Sequence, residues 1–353
     1  MKAFFKIYSK RKIKSALIYE GNNYQNIGNP ISIKFDVKKL RAILCWPEMT
    51  LRSNVWMESD INFAYVQSLS ELGIQTENLK NFDSRYIDIL LESIHESESQ
   101  ILVFLDGNSV SRILQSSLQE VRKLRKLGCK IVIDHPDLLF SRNGAEVLME
   151  CLSIADLVVI HNPLLLNHQK ISQMKKKLIL WPSFPYSSIF YSSDKRERVK
   201  SVLMSGTKYR GRDHYLNYLV RRGFPITDQM HDKKEQGGAI SSYLDYLVSL
   251  ESSALAFSTG YRTPKESLLT FRVVESMLRG TTVLYETGSF INYFYQPYKH
   301  YIPIVNAPDL YIKGQFLLEN PNECLSISRR ALDFTKQNYS GVEFWKLVLE
   351  KLF

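Results

Sequence analysis

The chain is 353 residues long, with 44% hydrophobic and 23% charged residues, which excludes a disordered, fibrous or disulfide-built protein. Its length exceeds one ordinary core and fits two domains of roughly 150–200 residues each. The balance of 46 Lys and Arg against 36 Asp and Glu leaves a formal charge of +10, which favours nucleic acid, an anionic membrane surface or phosphorylated small molecules as partners.

Short apolar runs alternate with amphipathic stretches along the first half. RAILCW (41–46) reads as a buried strand, followed by a loop over 47–59 and a helix over 60–72 that stops at Gly73. ILVFLD (101–106) is a second strand, with a helix over 109–127 ended by Gly128. KIVIDHPD (130–137) gives a third strand and its exit loop. A helix near 143–153 leads into ADLVVIHN (155–162), and KKLILWP (176–182) closes the series. Strand, helix, strand, helix is the grammar of a doubly wound parallel sheet. The next segment, PSFPYSSIFYSSDKRER (182–198), is rich in Ser, Pro and charge without a usable period, and reads as a linker.

The alternation then restarts. VKSVLMSG (199–206) is a strand, and GRDHYLNYLVRRG (211–223) is a helix ending in Gly223. A helix over 241–251 precedes the strand SALAFST (253–259). Thr263, Pro264, Lys265 and Glu266 form a capping box that opens a helix running to a Gly280 stop, after which a strand begins. A short helix near 288–296, the strand HYIPI (300–304) and helices near 308–318, 322–337 and 341–352 complete the chain. Two α/β domains joined by a linker place a cleft between them.

Cys45, Cys129, Cys151 and Cys324 lie far apart, without CxxC or Cys/His metal spacing, so they read as buried free thiols in a reducing compartment. The N-terminus has only a brief apolar patch, so no signal peptide is expected. No apolar run approaches the roughly 18–20 residues of a membrane span. The expectation is a cytoplasmic protein, at most peripheral to a membrane. The basic segments 6–14, 122–130 and 174–177 carry neither an RNA-binding signature nor zinc-finger spacing, so nucleic acid is not an expected partner. They read as solvated faces or as attraction to an anionic membrane.

In open parallel sheets, ligands bind outside the carboxyl ends of the strands, so the residues after each strand are the candidates. SGTKYRGRDHY (205–215) follows a strand and opens a helix. Gly206 permits close approach, the helix start offers N–H groups, and Lys208, Arg210 and Arg212 suit a diphosphate. The spacing is neither a P-loop nor GxGxxG, and the alternative is a basic turn facing solvent. On the helix before Gly280, Leu268, Phe271, Val274, Met277 and Leu278 cover the buried side, while Arg272, Glu275 and Arg279 share the other. That stripe is either a surface ladder or a ligand-facing pair, Arg272 and Glu275, with Arg279 solvated.

Ser267, Arg272, Glu275, Gly280 and Val283 resemble the nucleotide-sugar signature of GT-B glycosyltransferases, with the exostosin-like and CAP10-like members nearest in flavour. The segment 300–340 is similar to the usual tail of these enzymes. The resemblance covers about 200–353, and residues 1–180 match only in their α/β grammar. It implies two doubly wound Rossmann-like domains facing across a cleft. In that scheme 1–183 is an acceptor-binding domain, 184–198 a linker, 199–340 a nucleotide-sugar domain, and 341–353 a helix packing back on the first domain.

The implied activity is transfer of a sugar from a nucleotide-sugar donor to a hydroxyl of a glycan or lipid-linked acceptor. Glu275 would bind the donor ribose, and Arg272 with Lys208 and Arg210 the diphosphate. Tyr261, Arg262, Ser267 and Thr270 would line the donor pocket. The cations stabilise the leaving diphosphate, so neither a metal nor another cofactor is required. Retaining members often carry an acid eight positions before this glutamate; here that position is Ser267, which favours an inverting course.

An inverting transfer needs a base for the acceptor hydroxyl. The exit loop DHPD offers Asp134, His135 and Asp137, and FLDGNS offers Asp106; Glu58 and Asp60 are further candidates. Each aspartate could instead cap a helix or order a turn. Arg52, Asn54 and Trp56 on the 47–59 loop could hold a sugar ring, the alternative being that Trp56 is a core residue, whereas His161 and His168 read as structural. Two rival readings keep the fold: a sugar-nucleotide epimerase or hydrolase, and a glycan- or polyanion-binding protein without chemistry.

Overall fold

The computed structural model describes residues 39–47, 64–82, 101–105, 118–135, 144–167, 169–192, 198–207, 210–231, 243–263, 266–267, 269–287 and 290–353. The first sheet contains β1 (Arg41–Pro47), β2 (Gln75–Phe82), β3 (Ile101–Leu105), β4 (Lys130–His135), β5 (Leu157–Ile160) and β6 (Leu178–Leu180). Its order is β2-β1-β3-β4-β5-β6, parallel throughout. The inner strands ILVFL and LVVI are buried at every residue, the pattern of parallel strands covered on both faces. Between them run α1 (64–71), α2 (Leu118–Lys126) and α3 (Gly144–Ile154). Gly73 and Gly128 follow α1 and α2 with φ of 76° and 82°, the left-handed conformation that ends a helix.

The second sheet contains β7 (Val199–Thr207), β8 (Ile226–His231), β9 (Ser253–Ser258), β12 (Thr282–Glu286) and β13 (Ile302–Ile304). Its order is β13-β12-β9-β7-β8, again all parallel. Two short strands, β10 (Tyr261–Thr263) and β11 (Glu266–Ser267), pair antiparallel outside it. The helices here are α4 (Arg210–Arg221), α5 (Tyr243–Ser252), α6 (Arg272–Leu278), α7 (Ala307–Glu319) and α8 (Pro321–Tyr339).

The last helix, α9 (Gly341–Leu352), opens on Ser340, whose hydroxyl accepts from Glu343 N at 3.3 Å. It packs on the first sheet's side of the molecule. Trp345 Nε1 donates to Ser68 Oγ at 2.9 Å, and the Phe344 and Trp345 rings meet Tyr65 edge-on. Gly341 N donates to Tyr186 O at 2.8 Å, and an added Cβ there would fall 2.6 Å from Pro185 O, so a side chain at 341 would push the helix away.

Three sequence expectations change. β2 and β8 were not anticipated, and both are edge strands. The segment read as a linker is instead core where it is described: Phe184, Tyr186 and Phe190 are buried. The expected capping box does not form, because Thr263 and Glu266 lie in the β10–β11 pair and the helix starts at Arg272. Its Gly280 stop holds, with φ of 66°. All four cysteines are free and buried. Among the described residues no helix is long and apolar enough to cross a membrane.

Candidate active site

The carboxyl end of β7 carries Ser205, Gly206 and Thr207. Gly206 has φ of 95°, a region closed to most side chains. Two guanidinium groups lie over it: an added Cβ would fall 2.6 Å from Arg272 Cζ and 3.1 Å from Arg212 Nη1. Arg212 comes from the first turn of α4 and is buried; its Nε donates to Thr259 Oγ1, just past β9, at 2.9 Å. Arg272 opens α6. Two helix-start segments thus converge cations on one strand-end glycine. Such a place suits the oxygens of a diphosphate.

Glu275 sits one turn along α6 and is only 8% exposed. Tyr186 Oη donates to its Oε1 at 2.6 Å, and Tyr246 Oη donates to its Oε2 at 2.9 Å. Burial, reinforced by the Glu275 charge, holds the Tyr246 phenol well above its ordinary pKa, so it is a lasting donor. The reading of Arg272, Glu275 and Arg279 as a face opposite the buried side is therefore corrected. Glu275 is interior, and Arg279, expected in solvent, is 14% exposed and pairs with Glu251 at 3.4 Å.

The first sheet ends in a different constellation. Asp134, the fifth residue of β4, is buried. Tyr65 Oη donates to its Oδ2, and His161 Nε2 lies 2.9 Å from its Oδ1. The other ring nitrogen, His161 Nδ1, lies 2.8 Å from Trp181 O, which can only accept. The imidazole thus bridges a backbone carbonyl and a buried carboxylate. His161 also faces the second sheet's residues: its ring is 5.3 Å from Phe271, which in turn packs 4.1 Å from Phe184. This aromatic contact brings the Asp134–His161 pair next to the start of α6.

The sequence-predicted residues divide as follows. Gly206, Arg212, Arg272 and Glu275 gather at the end of the second sheet. Thr270 joins them from the α6 approach, its Oγ1 2.9 Å from Ser258 Oγ. Asp134 stands alone of its group in having a described side chain. His135 ends β4, Arg210 begins α4, and Tyr261, Arg262 and Ser267 lie in β10–β11, with their side chains outside the described set. Asp106, Asp137, Lys208, Glu58, Asp60, Arg52, Asn54, Trp56 and His168 lie outside the described residues. Sequence reasoning missed Tyr65, Tyr186 and Tyr246, and it read His161 as structural. The strand-exit rule that selected Asp134 also selects His161, which directly follows β5.

No protein-family model matches the chain, and no curated protein does. Solved structures do. The chain is similar to HepE of Anabaena in complex with UDP and glucose, at 11% identity and a TM-score of 0.59, over 88% of this chain and 99% of that one. It is similar to an alpha-glucosyltransferase in complex with UDP-glucose and abasic-site DNA, at 10% identity and a TM-score of 0.63, over 88% and 98%. It is also similar to sucrose-phosphate synthase of Thermosynechococcus elongatus, at 10% identity and a TM-score of 0.57, again over 88% and 98%. At these identities the likeness establishes the fold, which is that of GT-B glycosyltransferases.

Proposed function

We propose that the protein is a nucleotide-sugar-dependent glycosyltransferase. The observation that carries this reading is the convergence of Arg212 and Arg272 on Gly206 at the carboxyl end of β7. UDP and UDP-glucose bound in proteins of the same fold support it. In the reaction an acceptor hydroxyl attacks the anomeric carbon while the bond from that carbon to the diphosphate oxygen breaks. The nucleoside diphosphate leaves with added negative charge, which the two guanidinium groups stabilise without a metal ion. The donor ribose binds at the Glu275 carboxylate, which the Tyr186 and Tyr246 hydroxyls hold in place.

The acceptor proton passes to a base in the β4 exit sequence, His135 or Asp137, since both oxygens of Asp134 are already engaged by Tyr65 and His161. We take the course as inverting, because Ser267 stands where an acid would serve retention. The coupling constant of the product's anomeric proton tests this. The acceptor belongs to a glycan or lipid-linked saccharide, such as that of a bacterial surface polysaccharide assembled at the inner membrane face; the net charge of +10 supports that setting.

The decisive experiment is a thermal-shift panel of UDP, GDP, CMP and dTDP, followed by turnover of the matching sugar nucleotide. A ligand at about 100 times its Kd stabilises by about 2.7 kcal/mol, which is several degrees. We expect one nucleotide to raise Tm, and nucleoside diphosphate to be released only when an acceptor is present. No shift with any nucleotide overturns the reading. Binding without release assigns the site to a binding module instead.

A further inference from the structure

The start of α4 grips two neighbouring strand ends of the second sheet. Arg212 Nε donates to Thr259 Oγ1, just past β9, and one turn further along α4 Tyr215 Oη donates at 2.8 Å to Oε1 of Glu286, the last residue of β12. β9 and β12 are parallel neighbours with Tyr285 opposite Ser258, so the residues that follow, Glu286 and Thr259, stand side by side. A half-buried carboxylate thus lies within the field of Arg212, one of the two cations over Gly206.

The two oxygens of this carboxylate differ. Oε1 is taken by Tyr215, whereas Oε2 has no partner among the described residues. A proton can settle on Oε2 without breaking a bond, since a neutral carboxyl still accepts from Tyr215 through Oε1. Burial already holds this carboxyl above its ordinary range, against the Tyr215 bond and the Arg212 charge, both of which favour the ionised form. A diphosphate on Arg212 and Arg272 would cancel that cationic support and add negative charge beside the carboxylate. The β13 side brings no charge to replace it. Ile304 stands opposite Glu286 there, and the α7 charges beyond, Asp309 and Lys313, pair with each other at 2.8 Å. Asp213 and His214 share the first turns of α4 with Arg212 and Tyr215.

We propose that donor binding over Gly206 is linked to proton uptake at Glu286, whose Oε2 takes one proton from solvent as the diphosphate settles on Arg212. This inference rests on the diphosphate site proposed above and adds a property that two arginines alone would lack. Because the diphosphate favours the protonated carboxyl, its affinity is highest below the Glu286 pKa of the free protein. It falls as pH rises toward the higher pKa of the complex and levels off beyond it. The fall begins above the ordinary glutamate value of about 4.3.

The test is isothermal titration of the full chain between about pH 5.5 and 8. The probe is the glucose diester of the nucleoside diphosphate that raises Tm, UDP-glucose if that nucleotide is UDP. Both its phosphates are diesters that keep one negative charge each across this range, so the ligand itself takes up no proton. Wild-type affinity should fall by about fivefold or more as pH rises. Heats measured in two buffers of different ionisation enthalpy should show uptake approaching one proton. Glu286→Gln copies the neutral form, and at every pH it should bind about as tightly as the wild type does at the acid end. Tyr215→Phe removes a bond that favours the ionised carboxylate, so its fall should lie at higher pH. Asp213 and His214 remain in every protein measured, and their contribution is common to all the curves. A flat wild-type curve, a Glu286→Gln curve with the wild-type slope, or Glu286→Gln binding weaker than wild type throughout would each overturn the inference and leave the donor site standing. A wild type that binds no nucleotide removes the donor reading itself, and this inference with it.

Discussion

The two strand-end constellations answer the same topological opportunity in opposite ways. At the end of the second sheet, positive charge is gathered over a glycine whose missing side chain makes room for two guanidinium groups. At the end of the first sheet, the buried carboxylate of Asp134 is matched donor for acceptor by Tyr65 and His161, and His161 in turn by Trp181 O. The first arrangement suits an anion arriving from outside. The second arrangement fixes its own geometry and, through Phe271, holds the seam between the sheets. The difference gives two kinds of residue: those whose loss should show in ligand binding, and those whose loss should show in stability first.

The largest effect is expected from Asp134→Ala. It strands a buried imidazole and a buried phenol, and removing one partner of such a pair costs about 3 to 5 kcal/mol. Urea unfolding should show that loss, with transfer activity falling too if the β4 exit supplies the base. Asp134→Asn keeps the shape and tests the charge. A fully stable Asp134→Ala protein would break the comparison, since the network would then not be structural.

Arg272→Ala comes next, with the opposite signature. Hydrogen bonds to charged groups are worth about 1.5 to 3 kcal/mol, so nucleotide affinity should fall by about 10- to 150-fold while the unliganded Tm moves little. Arg272→Lys should recover only part of the loss, because an ammonium cannot reproduce the planar fork. Isothermal titration with the nucleotide selected by thermal shift checks both variants. Unchanged affinity in Arg272→Ala would remove the argument for the cation cluster as a phosphate site.

Legibility in the sequence followed the same physical divide. Inner strands such as β3 and β5 are unbroken apolar runs, because a parallel strand covered on both faces has no solvent side. The edge strands β2 and β8 were missed for the complementary reason. Edge strands pair on one side only, and their polar sequences QTENLKNF and ITDQMH give no apolar run. Of the cation cluster, Gly206 and Arg212 were legible because they end a strand and open a helix, and Arg272 through the charged stripe and the nucleotide-sugar resemblance rather than through a helix start. The networks were not, because their partners are remote in the chain: Tyr65 and Asp134 are separated by 69 residues, Tyr186 and Glu275 by 89. Tyr186 was hidden further in a stretch whose Ser and Pro content imitates a linker, although its aromatic rings are buried together.

The smallest effect belongs to the residue that touches both constellations' territory. Tyr186 lies in the segment that leaves the first sheet, yet its hydroxyl donates to Glu275 beside the cation cluster. Tyr186→Phe removes that one bond and leaves Tyr246 on the other carboxylate oxygen, so the stability loss should sit at the low end for a charged acceptor, about 1.5 kcal/mol. If Glu275 serves the ribose as well, nucleotide affinity should change by less than Arg272→Ala changes it, because the carboxylate keeps its charge and its second donor. A double-mutant cycle of Tyr186→Phe with Glu275→Gln, read by urea unfolding, isolates the pair. Coupling near zero would mean that the 2.6 Å contact contributes nothing to the join between the domains. Clear coupling in stability, with affinity nearly unchanged, would place Tyr186 with the network residues and leave Arg272 on the ligand side.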